Sequence, residues 1–196
     1  MSAWRATFPA PRSDHDAALA RLVGWAAVVF SGIYFLSDII ETIQGRFTDP
    51  RLVLTLVGEA AIPFFVVGLY IVQRPAIGRL GLISAIAYAY SFVFFTGTVM
   101  YAIVNSTPDY FALTHDVGAS MTVHGAIMVV AGIGFGLAVI RAGVLPAWTG
   151  VALATGVVAV AATQAAPLGV QLVAAGIRAA AFAGMGFALL TVQKRQ

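Results

Sequence analysis

Ionisable side chains inside long apolar runs are the residues of this 196-residue sequence that could do chemistry. Asp38, Glu41 and Glu59 are carboxylic acids in two such runs, and His124 and Arg178 lie in two others. Desolvation disfavours a charged carboxylate, so an acid in an apolar pocket can hold a proton. Groups of this kind can protonate a lipophilic substrate or take a proton from it.

The depths of these side chains indicate that they meet. A charge at the centre of a bilayer costs about 2.5–3.5 kcal/mol on insertion scales and normally faces the bundle interior. Counting about 1.5 Å per helical residue from the ends of the apolar runs places Asp38, Glu59, His124 and Arg178 in the same half of the membrane. The sequence therefore predicts a polar pocket in that half.

Spacing within the runs supports one shared pocket. Ser31, Tyr34, Asp38 and Glu41 follow each other at intervals of three and four, which puts them on one helix face. Gln171 and Arg178 are seven residues apart and also share a face. Both stripes can point into the bundle.

Roles follow from the chemistry of each group. We predict Glu59 and Asp38 as acid and base, with His124 as a further catalytic proton carrier. The Arg178 guanidinium stays protonated and offers a fixed fork to carboxylates, so an ion pair with Glu59 or Asp38 is expected. The predicted substrate-binding residues are the polar and aromatic side chains Tyr34, Glu41, Phe64, Phe95, Tyr101, Gln171 and Arg178.

Each of these residues also has a structural interpretation. Asp38 and Glu41 can be outer-interface residues that answer Arg46 and Arg51, and Glu59 can form a permanent pair with Arg178. His124 can be a core imidazole with satisfied hydrogen bonds, and the aromatic residues can face lipid. No metal or other cofactor is expected, because the sequence has no HExxH motif, no histidine cluster and no cysteine.

Composition sets the class of protein. Hydrophobic residues make up 60% of the chain and charged residues 10%, with a mean hydropathy of +0.93. Soluble domains average about 45–50% apolar and about 25% charged residues. These values exclude a soluble globular enzyme, a nucleic-acid-binding protein and a disordered chain. The absence of cysteine excludes disulfides and thiolate sites.

Six apolar runs predict an all-α, polytopic transmembrane helix bundle. Each run is about as long as a bilayer-spanning helix, and backbone in hydrocarbon must satisfy its own hydrogen bonds. We expect residues 1–20 to form a cytoplasmic or interfacial tail and residues 21–193 to form the membrane domain, joined by turn-like connections. The predicted spans are about 22–44, 52–72, 80–104, 117–140, 145–163 and 168–192.

Basic residues predict the orientation of the bundle. Lys and Arg are enriched in cytoplasmic loops, and one set of helix ends carries eight of them against two, Arg46 and Arg51, on the other. Both termini are therefore expected in the cytoplasm. The eight residues are Arg5, Arg12, Arg21, Arg74, Arg79, Arg141, Lys194 and Arg195.

Two loop-and-packing segments carry a resemblance. The segments GLYIVQRPAIGRLGL and IRAGVLPAWTGVAL resemble those of small uncharacterised six-helix membrane proteins of high-GC bacteria, over most of the chain. That resemblance implies a bacterial cytoplasmic membrane and brings no assigned activity. In size, helix content and acidic cluster the chain is also similar to membrane-integrated terpene cyclases, which implies proton-initiated chemistry on polyenes.

Two functions of different classes follow. The first is an integral membrane enzyme that uses intramembrane carboxylates for acid–base chemistry on a lipophilic, isoprenoid substrate, such as terpene cyclisation. The alternative is a non-enzymatic protein, either a proton-coupled small-molecule carrier or a lipid-binding or structural subunit with a static polar network. Expected partners are a lipophilic small molecule and membrane lipid, without nucleic acid.

Overall fold

Helices form every regular element of the computed structural model, which describes residues 14–193 and the side chains of residues 14–191. The all-α prediction is confirmed for this part of the chain. Five helices are long and apolar enough to cross a membrane, so this is a multi-pass membrane protein. The helices are α1 (Asp14–Gln44), α2 (Asp49–Val72), α3 (Gly78–Asn105), α4 (Tyr110–Val117), α5 (Ala119–Ala142), α6 (Ala147–Ala162) and α7 (Leu168–Gln193).

The helix limits agree with the predicted spans to within a few residues, with two differences. α1 begins at Asp14, so residues 14–20 are helical instead of belonging to the tail. The remainder of the predicted tail, residues 1–13, and the basic residues Lys194 and Arg195 lie outside the described residues. The other difference is the helix α4, which occupies a segment predicted to be only a turn-like connection.

Local hydrogen bonding explains why α4 forms there. The side chain of Asp109 accepts a hydrogen bond from the backbone N–H of Ala112 at 2.8 Å, which caps the first turn. Gly118 ends the helix with a φ of +64°, a conformation that glycine adopts without steric penalty. Gly118 also precedes α5, so the chain changes direction between two adjoining helices.

The six longer helices form a closed ring in the order α1, α2, α3, α5, α6, α7 and back to α1. Buried aromatic side chains fill the centre of the ring. The Tyr88 ring lies 5.0 Å from Phe92 and 5.9 Å from Phe182, centroid to centroid, and Phe182 lies 5.2 Å from Phe65. This core joins four aromatic residues from three helices.

Glycines let neighbouring helices approach closely beside two of the predicted site residues. A Cβ added to Gly58 of α2 would lie 2.8 Å from Cβ of Tyr34. One added to Gly156 of α6 would lie 2.8 Å from the backbone N of Arg178. Small residues at helix crossings are typical of membrane bundles. Here they fix the backbone of Tyr34 against α2 and that of Arg178 against α6.

One end of the ring is covered by the connections. The backbone N–H of Phe47, between α1 and α2, donates to the carbonyl of Pro108 at 2.8 Å, and this bond ties two loops together. Phe47 and Leu113 of α4 belong to a small apolar cluster with Leu52, Val99, Ala102 and Met121. We call the end of the ring that carries α4 and the α1–α2 loop the covered end. The α2–α3 and α5–α6 connections lie at the opposite end.

The contact at Gly156 gives a stability prediction. We expect Gly156→Ala to lower the free energy of unfolding by about 1–3 kcal/mol, because the new methyl group meets backbone that cannot rotate away. Gly125→Ala is the matched control, since its Cβ has open space, and helix propensity alone favours alanine. Thermal unfolding in detergent compares the two, and equal stability of the two variants would contradict the close packing.

Candidate functional site

Charged side chains gather at the covered end of the ring. Asp38 and Glu41 come from the last part of α1, Arg51 and Glu59 from the first half of α2, and Arg178 from the first half of α7. They surround two adjacent cavities, each of about 130 Å³. Four of these five, Asp38, Glu41, Glu59 and Arg178, belong to the polar set that the sequence analysis expected to meet, and Arg51 does not.

The first cavity contains Glu59. Arg51, Thr55 and Glu59 follow one face of α2 at intervals of four residues, and all three are buried. The hydroxyl of Tyr34 donates to Oε1 of Glu59 at 2.7 Å. The other carboxyl oxygen, Oε2, is buried without a hydrogen-bond partner. Apolar residues form most of the remaining wall: Phe47, Leu52, Phe92, Phe95, Val99, Ala102, Leu113, Met121, Met128 and Val160.

The second cavity is more polar than the first. Asp38, Glu41 and Gln171 line it, and the side-chain amide of Gln171 donates to the carbonyl of Ala166 at 2.8 Å. Six residues line both cavities and form a shared wall between them. That wall consists of Tyr34, Arg51, Tyr110, Val160, Gln164 and Arg178.

Each arginine has a carboxylate partner and an aromatic one. Arg51 forms an ion pair with Glu41, and its guanidinium lies 4.2 Å from the Phe47 ring centroid. Arg178 lies 4.0 Å from Oδ2 of Asp38, and its guanidinium lies 4.6 Å from the Tyr34 ring centroid. Of the two partners expected for Arg178, the structure shows Asp38, and Glu41 pairs with Arg51 of the two arginines expected near it. A guanidinium over an aromatic face gains a further electrostatic contact.

α4 brings a further ionisable group to the site. Tyr110 stands at its first position and contributes to both cavities. Burial, with the nearby carboxylates of Glu59 and Glu41, raises the pKa of Tyr110 above its ordinary value. Tyr110 is therefore a neutral hydroxyl at physiological pH, able to donate a hydrogen bond into the cavities.

Most of the predicted site residues meet, but three do not. Tyr34, Asp38, Glu41, Glu59, Phe95, Gln171 and Arg178 line one or both cavities.

His124, predicted as a catalytic proton carrier, lies elsewhere. Its ring is stacked on Phe94 with centroids 3.7 Å apart, and Nε2 lies 3.0 Å from the Tyr90 hydroxyl. This arrangement is between α3 and α5, and His124 lines neither cavity. The prediction of one pocket shared with Glu59 and Asp38 is corrected for this residue, because the depth of a residue does not determine the direction of its side chain.

Phe64 and Tyr101, predicted to bind substrate, are also outside the cavities. The Phe64 side chain is 81% exposed, and Tyr101 is exposed on α3. Both face outward, where apolar and aromatic residues meet lipid in a membrane protein. The sequence pattern showed aromatic residues on several faces of these helices and could not tell which face turns inward.

Arg51, Tyr110 and Gln164 are site residues that sequence reasoning missed as ligand-contacting groups. Arg51 was counted as a loop charge because it stands near the start of its apolar run. The spacing of Arg51, Thr55 and Glu59 at four-residue intervals was the available signal. No such signal existed for Tyr110, because its position depends on α4, a helix that the sequence did not predict.

Among the described residues, no group of three or more His, Asp or Glu side chains could hold a metal ion. The available chemistry is that of carboxylic acids, guanidinium groups, hydroxyls and amides around an aromatic-walled space.

The Asp38–Arg178 pair gives a second prediction. Arg178→Gln removes the charge partner of a largely buried carboxylate, and we expect it to lower the free energy of unfolding by about 2–4 kcal/mol. Adding Asp38→Asn should recover part of the loss, with a coupling energy of about 0.5–3 kcal/mol. Denaturation of the wild type, both single variants and the double variant measures it; strictly additive losses would show that the two residues do not interact.

Comparison with known proteins identifies no relative. No family model, curated protein or solved structure matches this chain. The geometry of the site is therefore the evidence on which a function rests.

Proposed function

We propose that this chain is an integral membrane enzyme that uses Glu59 for acid–base chemistry on a lipophilic small molecule, with isoprenoids as the substrate class. The observation that carries the proposal is the Oε2 atom of Glu59, which is buried without a partner in a cavity walled mainly by apolar side chains. A buried polar atom without a partner is unusual in proteins and requires an explanation. Proton transfer to or from a substrate in the cavity provides one.

The surroundings of Glu59 suit this role. Tyr34 holds one carboxyl oxygen at 2.7 Å, which orients the group and leaves the other oxygen for the substrate. The rings of Phe92 and Phe95 form part of the same cavity and can stabilise positive charge that develops on a protonated alkene or epoxide. Asp38, beyond the shared wall, is the candidate base that accepts the final proton.

The cavity volume limits how much substrate is enclosed. An apolar cavity of about 150 Å³ holds one benzene molecule, and the first cavity measures about 130 Å³. It therefore fits about one isoprene unit. The geometry favours proton transfer at the end of a longer lipophilic chain over the enclosure and cyclisation of a whole polyene.

A specific observation also supports a non-enzymatic function. Asp38 and Glu41 each have an arginine partner, and paired charges of this kind can be a static network that fixes the helices. In that case the chain would be a lipid-binding or structural subunit, or a proton-coupled carrier. The polar side chains are concentrated around the cavities at the covered end, which fits a pocket better than a pathway across the membrane.

The proposal includes six spans with the covered end outside the cytoplasm. α6 has 16 residues, a rise of about 24 Å against the about 30 Å of a hydrocarbon core. Its place in the ring between α5 and α7 supports a sixth crossing. The opposite end carries Arg21 and the three loop-flanking arginines Arg74, Arg79 and Arg141. Two loop-flanking arginines, Arg46 and Arg51, lie at the covered end, and Arg51 is buried in an ion pair. This asymmetry supports cytoplasmic termini.

Single cysteines test this topology directly, because the natural chain has none. We expect an impermeant maleimide added to intact cells to label His115→Cys and Ala165→Cys, and to label Ala76→Cys only after the membrane is opened. All three positions are exposed. Labelling of Ala165→Cys on the same side as Ala76→Cys would show that α6 does not cross the membrane.

A substitution at Glu59 tests the activity. Membranes that contain the full chain are incubated with prenyl alcohols and prenyl epoxides, and products are followed by mass spectrometry. We expect Glu59→Gln to reduce conversion by about 10²-fold or more, because the amide cannot transfer the proton. Asp116→Asn is the matched control, a carboxyl-to-amide change at the same end in an exposed residue outside both cavities.

The outcomes separate the two functions. Full activity in Glu59→Gln would remove this residue from the mechanism. Absence of conversion by the wild type with every prenyl compound, together with the coupling predicted for Asp38 and Arg178, would favour the static network.

A further inference from the structure

The charges around the two cavities do not balance. Three carboxyl groups, Asp38, Glu41 and Glu59, face two guanidinium groups, Arg51 and Arg178. Glu41 is paired with Arg51, and Asp38 is paired with Arg178. Neither guanidinium lies within 4.0 Å of Glu59, whose one hydrogen-bond partner among the described residues is the neutral hydroxyl of Tyr34. One negative charge is therefore left without a counter-charge when Glu59 is ionised.

An uncompensated carboxylate inside a low-dielectric bundle is strongly unfavourable. Glu59 can avoid that state in two ways, by holding a proton or by facing a cation that enters the cavity. Both ways place the positive charge at the same atom, Oε2, which is more than nine-tenths buried with its residue and lacks a partner. The proton and the cation therefore compete for one position.

The walls of the first cavity fit an organic cation with a short apolar chain. Phe92 and Phe95 of α3 line this cavity, and an aromatic wall attracts an ammonium group. Met128 of α5 and Val160 of α6 complete an apolar lining that a hydrated metal ion would not match. A volume of about 130 Å³ admits about six heavy atoms.

We propose that the first cavity binds a lipophilic monocation of the primary-ammonium class at Glu59, in exchange for a proton. The neutral carboxylic acid releases its proton to water, and the carboxylate then accepts a charge-assisted hydrogen bond from the ammonium group. The charge of the site is the same before and after the exchange. This inference does not depend on turnover, so it stands or falls separately from the proposed enzymatic activity.

Glu59 is the one carboxyl group around the two cavities, among the described residues, that has no arginine partner. The other titratable groups there are Tyr34, Asp38 and Glu41 from α1, Tyr110 from α4, and the two arginines from α2 and α7. Each acid of α1 has an arginine ion-pair partner, and the tyrosines are neutral hydroxyls at physiological pH. α3, α5 and α6 contribute no titratable side chain to the wall of either cavity. One proton is therefore expected to leave for each cation bound.

Calorimetry of the full chain in lipid nanodiscs tests the proposal. The probes are n-pentylammonium and 1-pentanol, which have the same apolar chain and differ in charge. We expect the wild type to bind pentylammonium at least about tenfold more tightly than pentanol, because only the cation satisfies the carboxylate. Affinity for pentylammonium should fall from mildly alkaline to mildly acidic pH, and titration in two buffers of different ionisation enthalpy should show one proton released at the acidic pH.

Variants then locate the effect. Glu59→Gln should lose the preference for the cation and bind both probes alike, while Asp116→Asn should behave as the wild type. Both variants share the same nonspecific partition of the probes into lipid, so a difference between them reports the site. If Glu59→Gln does not fold, the pH dependence and proton release of the wild type still decide.

Three results would overturn the proposal. These are equal affinity of the wild type for the charged and the neutral probe, cation binding that does not change with pH, and an unchanged preference in Glu59→Gln. Cation binding without prenyl conversion would support this inference while removing the enzymatic proposal. Prenyl conversion without cation binding would support the enzymatic proposal and remove this inference.

Discussion

Charge compensation in an apolar interior is the constraint on which the covered end of this protein depends. A membrane bundle cannot leave a carboxylate or a guanidinium alone, because water is not there to solvate it. Asp38 and Glu41 meet this requirement through Arg178 and Arg51. Both arginines also lie over aromatic rings, so the guanidinium groups are fixed in direction as well as neutralised. Among the residues that the structure describes, the one hydrogen-bond partner of Glu59 is the Tyr34 hydroxyl.

The packing of the ring makes this compensation possible. Tyr34 reaches Glu59 because Gly58 lets α1 and α2 approach, and the Arg178 backbone is fixed because Gly156 lets α6 approach α7. The aromatic core below the cavities gives the helices a rigid base. Above them, α4 and the α1–α2 loop exclude part of the solvent that would otherwise reach Arg51 and Glu59. Apolar packing thus positions the helices, and the Tyr34 hydroxyl orients Glu59 itself.

Sequence reasoning predicted the helices and the level of the site well, for a clear physical reason. Bilayer thickness fixes helix length, and the rise per residue fixes depth, so both can be read from one chain. The faces of α1 and α7 were also correct, because intervals of three, four and seven residues define a stripe on any helix. Asp38 and Arg178 lie on these two stripes, whereas Glu59 was singled out as an acid inside an apolar run.

The sequence could not show which way a side chain points within the bundle. It also could not show that the connection between α3 and α5 contains a helix. His124 has the predicted depth, yet it turns toward Tyr90 and Phe94, because α5 is placed beside α3 in a ring whose order one chain does not reveal. Phe64 turns outward for the same reason. α4 depends on the Asp109 cap and on packing over the cavities, and it lines the same cavity as the buried Arg51.

Tyr34 is the residue that joins the two cavities into one site. Its hydroxyl donates to Glu59 in the first cavity, and its ring supports the guanidinium that faces Asp38 in the second. A change in the charge of Glu59 alters the demand on that hydroxyl, and a shift of the Tyr34 ring alters the support of Arg178. Tyr34 is therefore in contact both with Glu59 and with the guanidinium of the ion pair that lines the second cavity. Any ligand that spans both cavities would contact this residue at the shared wall.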